Sequence, residues 1–260
     1  PLAPDLAVLC TPGASVPDLV DQLGARGTHA VVVIATGVDQ TAMMEAARRH
    51  GVRILGPGSL GVRVPRAGLD ISVSNVPALP GKLALVSQSG GVCSAVLDWA
   101  RPRGIGFSHF VSLGSGDDID FPDVIDYLAN DPHTRAILLY IESIAARRNF
   151  MPAMRAAARN KPILLAHAAQ LDRPWAPPPG AFLAERLANP DACFNAAVRR
   201  AGALRVRDVS ALFGAVEKVL RSPTFGLGQR DARELMRRCF CEDNAAVQAM
   251  VRAGMGRAIL

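Results

Sequence analysis

In "LALVSQSGGVCSAVLDWA", residues 83–100, an apolar run turns into a helix through Ser87, Ser89, Gly90 and Gly91. A helix start offers unpaired N–H groups and the positive end of the helix dipole, so it receives anions. Glycine leaves that backbone open to close approach. A plain strand-to-helix turn would use the same residues, and spacing alone does not separate the two readings. A carboxylate, Glu142, ends the buried run "LLYIESI". A strand-end acid more often caps a helix or meets an arginine than does chemistry.

Three earlier loops share this small-residue character: "CTPGASV", "ATGVD" and "GPGSLGV", each at the end of a strand-like run. Open α/β sheets bind ligands at the carboxyl ends of their strands. Four such loops together suit a bulky, phosphate-bearing ligand.

The elements that must position these loops follow from apolar periodicity. "DLAVLC", "AVVVIATG" and "VRILGPGSLGV" read as strands, separated by the helices "DLVDQLGARG", with Ser15 as N-cap, and "QTAMMEAARRHG", closed by Gly51. Residues 1–64 thus form a βαβαβ unit. Pro65, Pro77 and Pro80 mark residues 65–80 as a linker. The rhythm restarts over 81–222 as a fuller parallel α/β unit with flavodoxin-like strand order. Its helix "FPDVIDYLAND" is expected to bury Val124, Ile125, Tyr127 and Leu128. Helices are expected around 181–201 and 209–221 after a proline-rich loop, and residues 223–260 read as a helix-rich tail.

Composition narrows the partners. The net charge of +6 rests mostly on arginines spread along helices, the lysines being Lys82, Lys161 and Lys218, and aromatics make up 5%. Neither a basic stripe nor a stacking platform is visible, so nucleic acid is not the expected ligand. Cys10, Cys93, Cys193, Cys239 and Cys241 form no CxxC pair and match no histidine spacing. No metal is expected, and scattered thiols fit a reducing cytoplasm. No apolar run approaches the ~20 residues of a membrane span, and the start does not read as a signal peptide. Pro1 begins almost inside a strand, so the chain reads as cut on that side.

"GPGSLGV", "GKLALVSQSGGVCSAVLDWA", "GFSHFVSLGSGDDIDFPDVIDYLANDPHTRAILLYIESI" and "AARNKPILLAHA" together resemble the CoA-ligase part of NDP-forming acyl-CoA synthetases. These are relatives of the succinyl-CoA synthetase α subunit, and the likeness runs from about Asp5 to about Val219. It is similar above all to bacterial multidomain proteins that join this part to an ATP-grasp domain and, in the protein acetyltransferases, to a GNAT domain. The resemblance implies a partial Rossmann-like CoA-binding unit followed by the flavodoxin-like unit. It places Thr11, Pro12, Thr36, Gly37, Gly56, Pro57, Ser59 and Gly61 around CoA. It assigns Ser87, Ser89, Gly90 and Gly91 to the helix start that receives a phosphohistidine, and Glu142 to the carboxylate that stabilises it. ATP or ADP and Mg enter only through an ATP-grasp partner, and a homo-oligomer stays open.

Three departures qualify that expectation. The family's opening strand and glycine-rich loop have no counterpart ahead of Pro1, so a weak or partial CoA site is expected. Pro179 in "PPPGAFLAERLANPD" stands where the family has its active histidine, and proline has no nucleophilic nitrogen. "LLAHAAQ" replaces a lysine-glycine stretch, bringing His167 to a different element. Residues 241–260 bear a short likeness to the effector domain of LysR-type regulators, on which no function is built. The expected function is a CoA-ligase module of an acyl-CoA (acetyl-CoA) synthetase or protein acetyltransferase, inactive by itself. The rivals are a non-catalytic acyl-CoA-sensing module and a dinucleotide-dependent oxidoreductase. Against the oxidoreductase, no G-x-G-x-x-G after a strand has an acid about 20 residues on.

Overall fold

The computed structural model describes residues 4–168 and 190–221. The first three strands are β1 (Leu6–Leu9), β2 (Ala30–Val33) and β3 (Arg53–Leu55), with helices α1 (Val16–Ala25) and α2 (Gln40–His50) between them. They form a parallel sheet of order β1-β2-β3. The β-branched side chains Val31, Val33 and Ile54 bury one face under Val16 and Val20 of α1 and Met43, Ala46 and Ala47 of α2. Asp39 caps α2 by accepting the Ala42 N–H, and Gly51 ends it at φ +69°. Ser15, expected to cap α1, instead turns its hydroxyl to the Pro12 carbonyl at 2.8 Å. A one-turn 3₁₀ segment, Gly13–Ser15, precedes the helix and leaves that serine in helical conformation.

The chain continues with β4 (Gly61–Val64), β5 (Leu69–Ser72), β6 (Pro80–Ser87), α3 (Gly90–Ala100), β7 (Phe107–Ser112) and α4 (Phe121–Asn130). Then come β8 (Ala136–Ile141), α5 (Arg147–Ala158), β9 (Ile163–His167), α6 (Pro190–Ala201), β10 (Leu204–Val206) and α7 (Val209–Arg221). The second sheet has the order β10-β9-β8-β6-β7-β4-β5. Its parallel part, counted from β6, reads 2-1-3-4-5 from β7 to β10, the flavodoxin-like order. Within it β8, β9 and the second half of β6 are nearly continuous apolar runs because helices cover both faces, whereas β7 buries Ser108, His109 and Ser112 among its apolar residues.

The sheet is extended by an antiparallel edge. β4 pairs with β7, and β5 pairs with β4. The stretch 65–80, expected as a linker, therefore carries a strand. Buried Arg63 organises it, binding Asp70 Oδ1 and Ser72 Oγ and the carbonyls of Ser74 and Val76. A Cβ on Gly61 would stand 1.8 Å from the Ile71 carbonyl oxygen, so only glycine permits this hairpin's close approach.

The two sheets share a core. Val32 and Leu55, from the face of the small sheet opposite α1 and α2, join Leu113, Phe121 and Ile125 of the larger unit. Polar contacts reinforce the junction: Asp118 Oδ2 accepts the Ile54 N–H at 2.7 Å and the Arg53 Nε–H at 3.0 Å. On α4, Ile125 and Leu128 are buried and Val124 is half-buried, whereas Tyr127 is 61% exposed. It lies one residue outside the apolar stripe and leans edge-on against His109. The expectations at Pro179 and over 223–260 lie outside the described residues.

Candidate functional site

The flavodoxin-like order puts a topological switch between β6 and β8, whose chains leave toward opposite flanks of the sheet. Ser87 and Tyr140 are register partners there, so the elbow and the Glu142 loop emerge side by side. The elbow is built by its serines. Ser87, fully buried, accepts the Ser89 N–H at 3.1 Å and donates to the Ser89 carbonyl at 3.0 Å. Ser89 caps α3 by accepting the Val92 N–H at 3.5 Å. Ser87 thus shapes the turn rather than facing outward. Among the described residues, nothing accepts the N–H groups of Gly90 and Gly91, which are left at the positive end of α3.

Glu142 is exposed, and no hydrogen bond or ion pair among the described residues reaches its carboxylate. Among the described residues it neither caps a helix nor meets an arginine, the two structural uses open to a strand-end acid. Its charge is felt by Tyr140: burial first, then Glu142, raises the phenol above its ordinary pKa. The backbone of the loop is held by a residue that the sequence pattern did not single out. Gln88 Oε1 accepts the N–H groups of Glu142 at 2.8 Å and Ser143 at 2.9 Å. An amide side chain between two turn-forming serines, beside a strand end whose next N–H groups lack a ladder partner, was the available signal.

Beneath the elbow lies Cys93, its thiol pushed up to about 11 by burial, with Ser87 and Ser112 hydrogen-bonding to it. That position makes it a packing residue, inert as a nucleophile. His167 pairs in register with Ile141 on the neighbouring strand, but its ring lies on Phe194 of α6, 4.6 Å between centroids. Phe194 packs on the core side of the sheet shared with Ile141, whereas Tyr140 joins the cluster on the α3 side. His167 therefore faces away from the elbow. Burial and the Arg205 charge lower its pKa.

The other loops meet at the carboxyl end of the small sheet. Thr11, Pro12, Thr36 and Gly37 are exposed. Gly13 is pressed on the second of these loops, since a Cβ there would lie 2.4 Å from the Thr36 carbonyl oxygen. The Gly58 N–H bonds the Ala35 carbonyl at 2.9 Å, joining the third loop to the second. Gly56, Pro57, Ser59 and Gly61 are buried. Ser59 donates to the Ser112 carbonyl at 2.5 Å and accepts the Gly61 N–H at 2.8 Å, which fastens this loop to β7. Although "GPGSLG" has the G-x-G-x-x-G form, it enters β4 and opens no helix, so it lacks the dipole of a dinucleotide turn. Leu60 lies over Gly90, making the loops and the elbow one continuous rim.

Among the described residues no group of three His, Cys, Asp or Glu side chains could hold a metal ion. No helix among them is long and apolar enough to cross a membrane.

Comparison with known proteins agrees with this geometry. Residues 80–219 match the succinyl-CoA ligase like flavodoxin domain, and residues 1–65 match a CoA binding domain. The α subunit of acetate–CoA ligase (ADP-forming) I from Pyrococcus furiosus is 33% identical over 222 residues, 80% of this chain and 47% of that protein. The 4-hydroxybutyrate–CoA ligase (ADP-forming) of Nitrosopumilus maritimus is 28% identical over 240 residues, 86% of this chain and 34% of that protein. The dinucleotide-forming acetyl-coenzyme A synthetase 1 of Candidatus Korarchaeum cryptofilum, solved with phosphate and ADP, superposes with a TM-score of 0.74. It is 27% identical, over 85% of this chain and 49% of that one. The chain thus spans about half the length, or less, of the proteins that it matches. The succinyl-CoA ligase like flavodoxin match spans more than half of the chain and coincides with its 2-1-3-4-5 sheet, and the CoA binding match coincides with the small parallel sheet: the chain belongs to the succinyl-CoA ligase-like flavodoxin domain family.

Proposed function

We propose that this chain is the CoA-ligase module of an ADP-forming acyl-CoA synthetase, with a phosphoryl seat at the elbow and a CoA surface on the small sheet. One observation carries the reading. Among the described residues the Glu142 carboxylate has no partner and the Gly90 and Gly91 N–H groups have no acceptor, and their loops leave adjacent strands at the switch point of the sheet. Amides at a helix start hold a phosphoryl group, and a nearby carboxylate accepts a hydrogen bond from the imidazole that carries it. The seat needs no metal or basic side chain of its own. Nucleotide chemistry with Mg would belong to an ATP-grasp domain or subunit, for which the "subunit alpha" of the Pyrococcus relative is the precedent.

The residues present fit part of CoA. Exposed Thr11, Pro12, Thr36 and Gly37 offer backbone and hydroxyl groups at strand ends. The loops 10–15, 35–39 and 56–61 contain no lysine, arginine or histidine to meet the ligand's phosphates. Weak binding of CoA follows. Pro179 supplies no nitrogen to carry a phosphoryl group, so the chain alone should not interconvert acetyl-CoA and ATP. That same proline favours a second reading, a module that senses acyl-CoA without turnover. Calorimetric titration with CoA and an assay of ATP formation from acetyl-CoA, phosphate and ADP test both points. Weak CoA binding without ATP formation is the expected result. Submicromolar affinity would overturn the partial CoA site, and ATP made by this chain alone would overturn its dependence on a partner.

A further inference from the structure

We infer that Gln88 and Asp120 are positioning residues that bracket the 142–146 loop and fix the Glu142 carboxylate at the elbow; the inference deepens, and rests on, the phosphoryl-seat reading above. β8 ends at Ile141, so the N–H groups of Glu142 and Ser143 lie beyond the ladder, on exposed residues that water could serve. Instead, one buried amide oxygen from the neighbouring strand's exit takes both, at 2.8 and 2.9 Å. The Gln88 N–H in turn bonds the Tyr140 carbonyl at 3.2 Å, which fixes the base of the side chain to β8 itself.

The far end of the loop is held from a third strand exit. Asp120, 2% exposed, accepts the Ala146 N–H on Oδ2 at 3.3 Å while Oδ1 takes the Phe121 N–H at 2.7 Å. Its two oxygens thus join the start of α4 to the loop that leads into α5. Between the brackets sits Gly116, at φ +70°. A Cβ there would lie 3.2 Å from Asp120 Oδ1 and 3.7 Å from Gln88 Nε2. The loop after β7 is therefore threaded between the two side chains. Sheet formation alone needs none of the side-chain bonds of Gln88 and Asp120, because the N–H groups that they take lie past the strand ends. These bonds set the direction in which a carboxylate without a partner among the described residues leaves the backbone.

Amide hydrogen exchange and phosphate titration on the full chain separate positioning from simple stabilisation. Gln88→Met removes the acceptor, and exchange at Glu142 and Ser143 should accelerate about tenfold, while Leu85 and Leu138 in the flanking strands stay unchanged. Gln88→Glu keeps an acceptor oxygen and should restore slow exchange. Asp120→Asn keeps an oxygen for the α4 cap and should free Ala146 alone; it decides the matter if Gln88→Met does not fold. With inorganic phosphate as probe, Glu142→Gln removes a like charge and should tighten binding at Gly90 and Gly91. Gln88→Met should tighten it in the same direction, and should add nothing in the Glu142→Gln background. Unaltered exchange at Glu142 and Ser143, or an equal gain in phosphate affinity with and without the Glu142 charge, would overturn the inference. If phosphate never shifts Gly90 and Gly91 in the parent chain, the seat reading fails, and the exchange data alone decide whether the bracket exists.

Discussion

Leu60 lies directly over Gly90: a Cβ built on Gly90 would stand 3.2 Å from Leu60 Cγ. At Gly91 the nearest atom, Ser89 Oγ, is 3.9 Å away. The first turn of α3 thus has one glycine roofed by the "GPGSLG" loop and one open to solvent. Gly90→Val must push Leu60 aside, with a cost of about 1–3 kcal/mol for overpacking, and should abolish phosphate binding at the elbow. Gly91→Ala should change stability by no more than about 0.5 kcal/mol. Thermal melts paired with phosphate titration check both; a Gly90→Val chain that binds phosphate normally would show that the glycine is not required there.

Asp118 is a polar fastening between the sheets, where it binds both Arg53 and the Ile54 N–H. Asp118→Ala leaves the Ile54 N–H without its acceptor and Arg53 without its closest carboxylate. The orphaned half-buried donor should cost about 1–3 kcal/mol, and Asp118→Asn, which keeps an acceptor oxygen, should cost less. Urea midpoints at constant slope measure the difference. Equal midpoints for Asp118→Ala and the parent chain would mean that Asp118 adds nothing to the apolar core and to the other bonds that join the sheets, such as that from the Ile119 N–H to the Ile54 carbonyl.

Much of this was legible in the residues. The run "LALVSQSGG" announced β6, its elbow and α3 because an apolar run, a hydroxyl cap and glycines are local signals. Gly51 and the β-branched "AVVV" worked in the same way. The β4–β5 edge was not legible, since proline punctuation looks the same in a linker and beside an edge strand. What recruits it is Arg63, whose partners lie 7 to 13 residues on and are brought together only by folding. Gln88 escaped notice for a related reason: its two acceptor contacts lie 54 and 55 residues away. Tyr127 misled because an aromatic at the margin of a helical stripe satisfies periodicity without being buried.

A pH response should originate beneath α4. His109 is 7% exposed; Asp131 Oδ2 lies 3.5 Å from its Nδ1 and the Tyr127 hydroxyl 3.4 Å from its Nε2. Burial lowers its pKa most; Asp131 opposes this, while His133 and Lys161 add to it. A folded pKa below the unfolded value of 6.5 means that the unfolded chain binds the proton more readily. Stability is therefore complete above that value and declines as pH falls from it through the folded pKa. Melting temperature should drop between pH 7 and pH 5, and His109→Gln should lessen the drop, leaving the share due to His167, whose pKa is also lowered. An identical pH profile in the variant would remove His109 from the response.

The phosphoryl seat is tested most directly by titrating the full chain with inorganic phosphate while following backbone amide resonances. The largest shifts should fall on Gly90 and Gly91, saturating in the range of tens of millimolar expected for an anion held by a helix start without a cation, and weakening as salt is raised. No shift at these two amides at tens of millimolar phosphate, or shifts confined to the loops of the small sheet, would contradict the seat and leave the elbow as a turn.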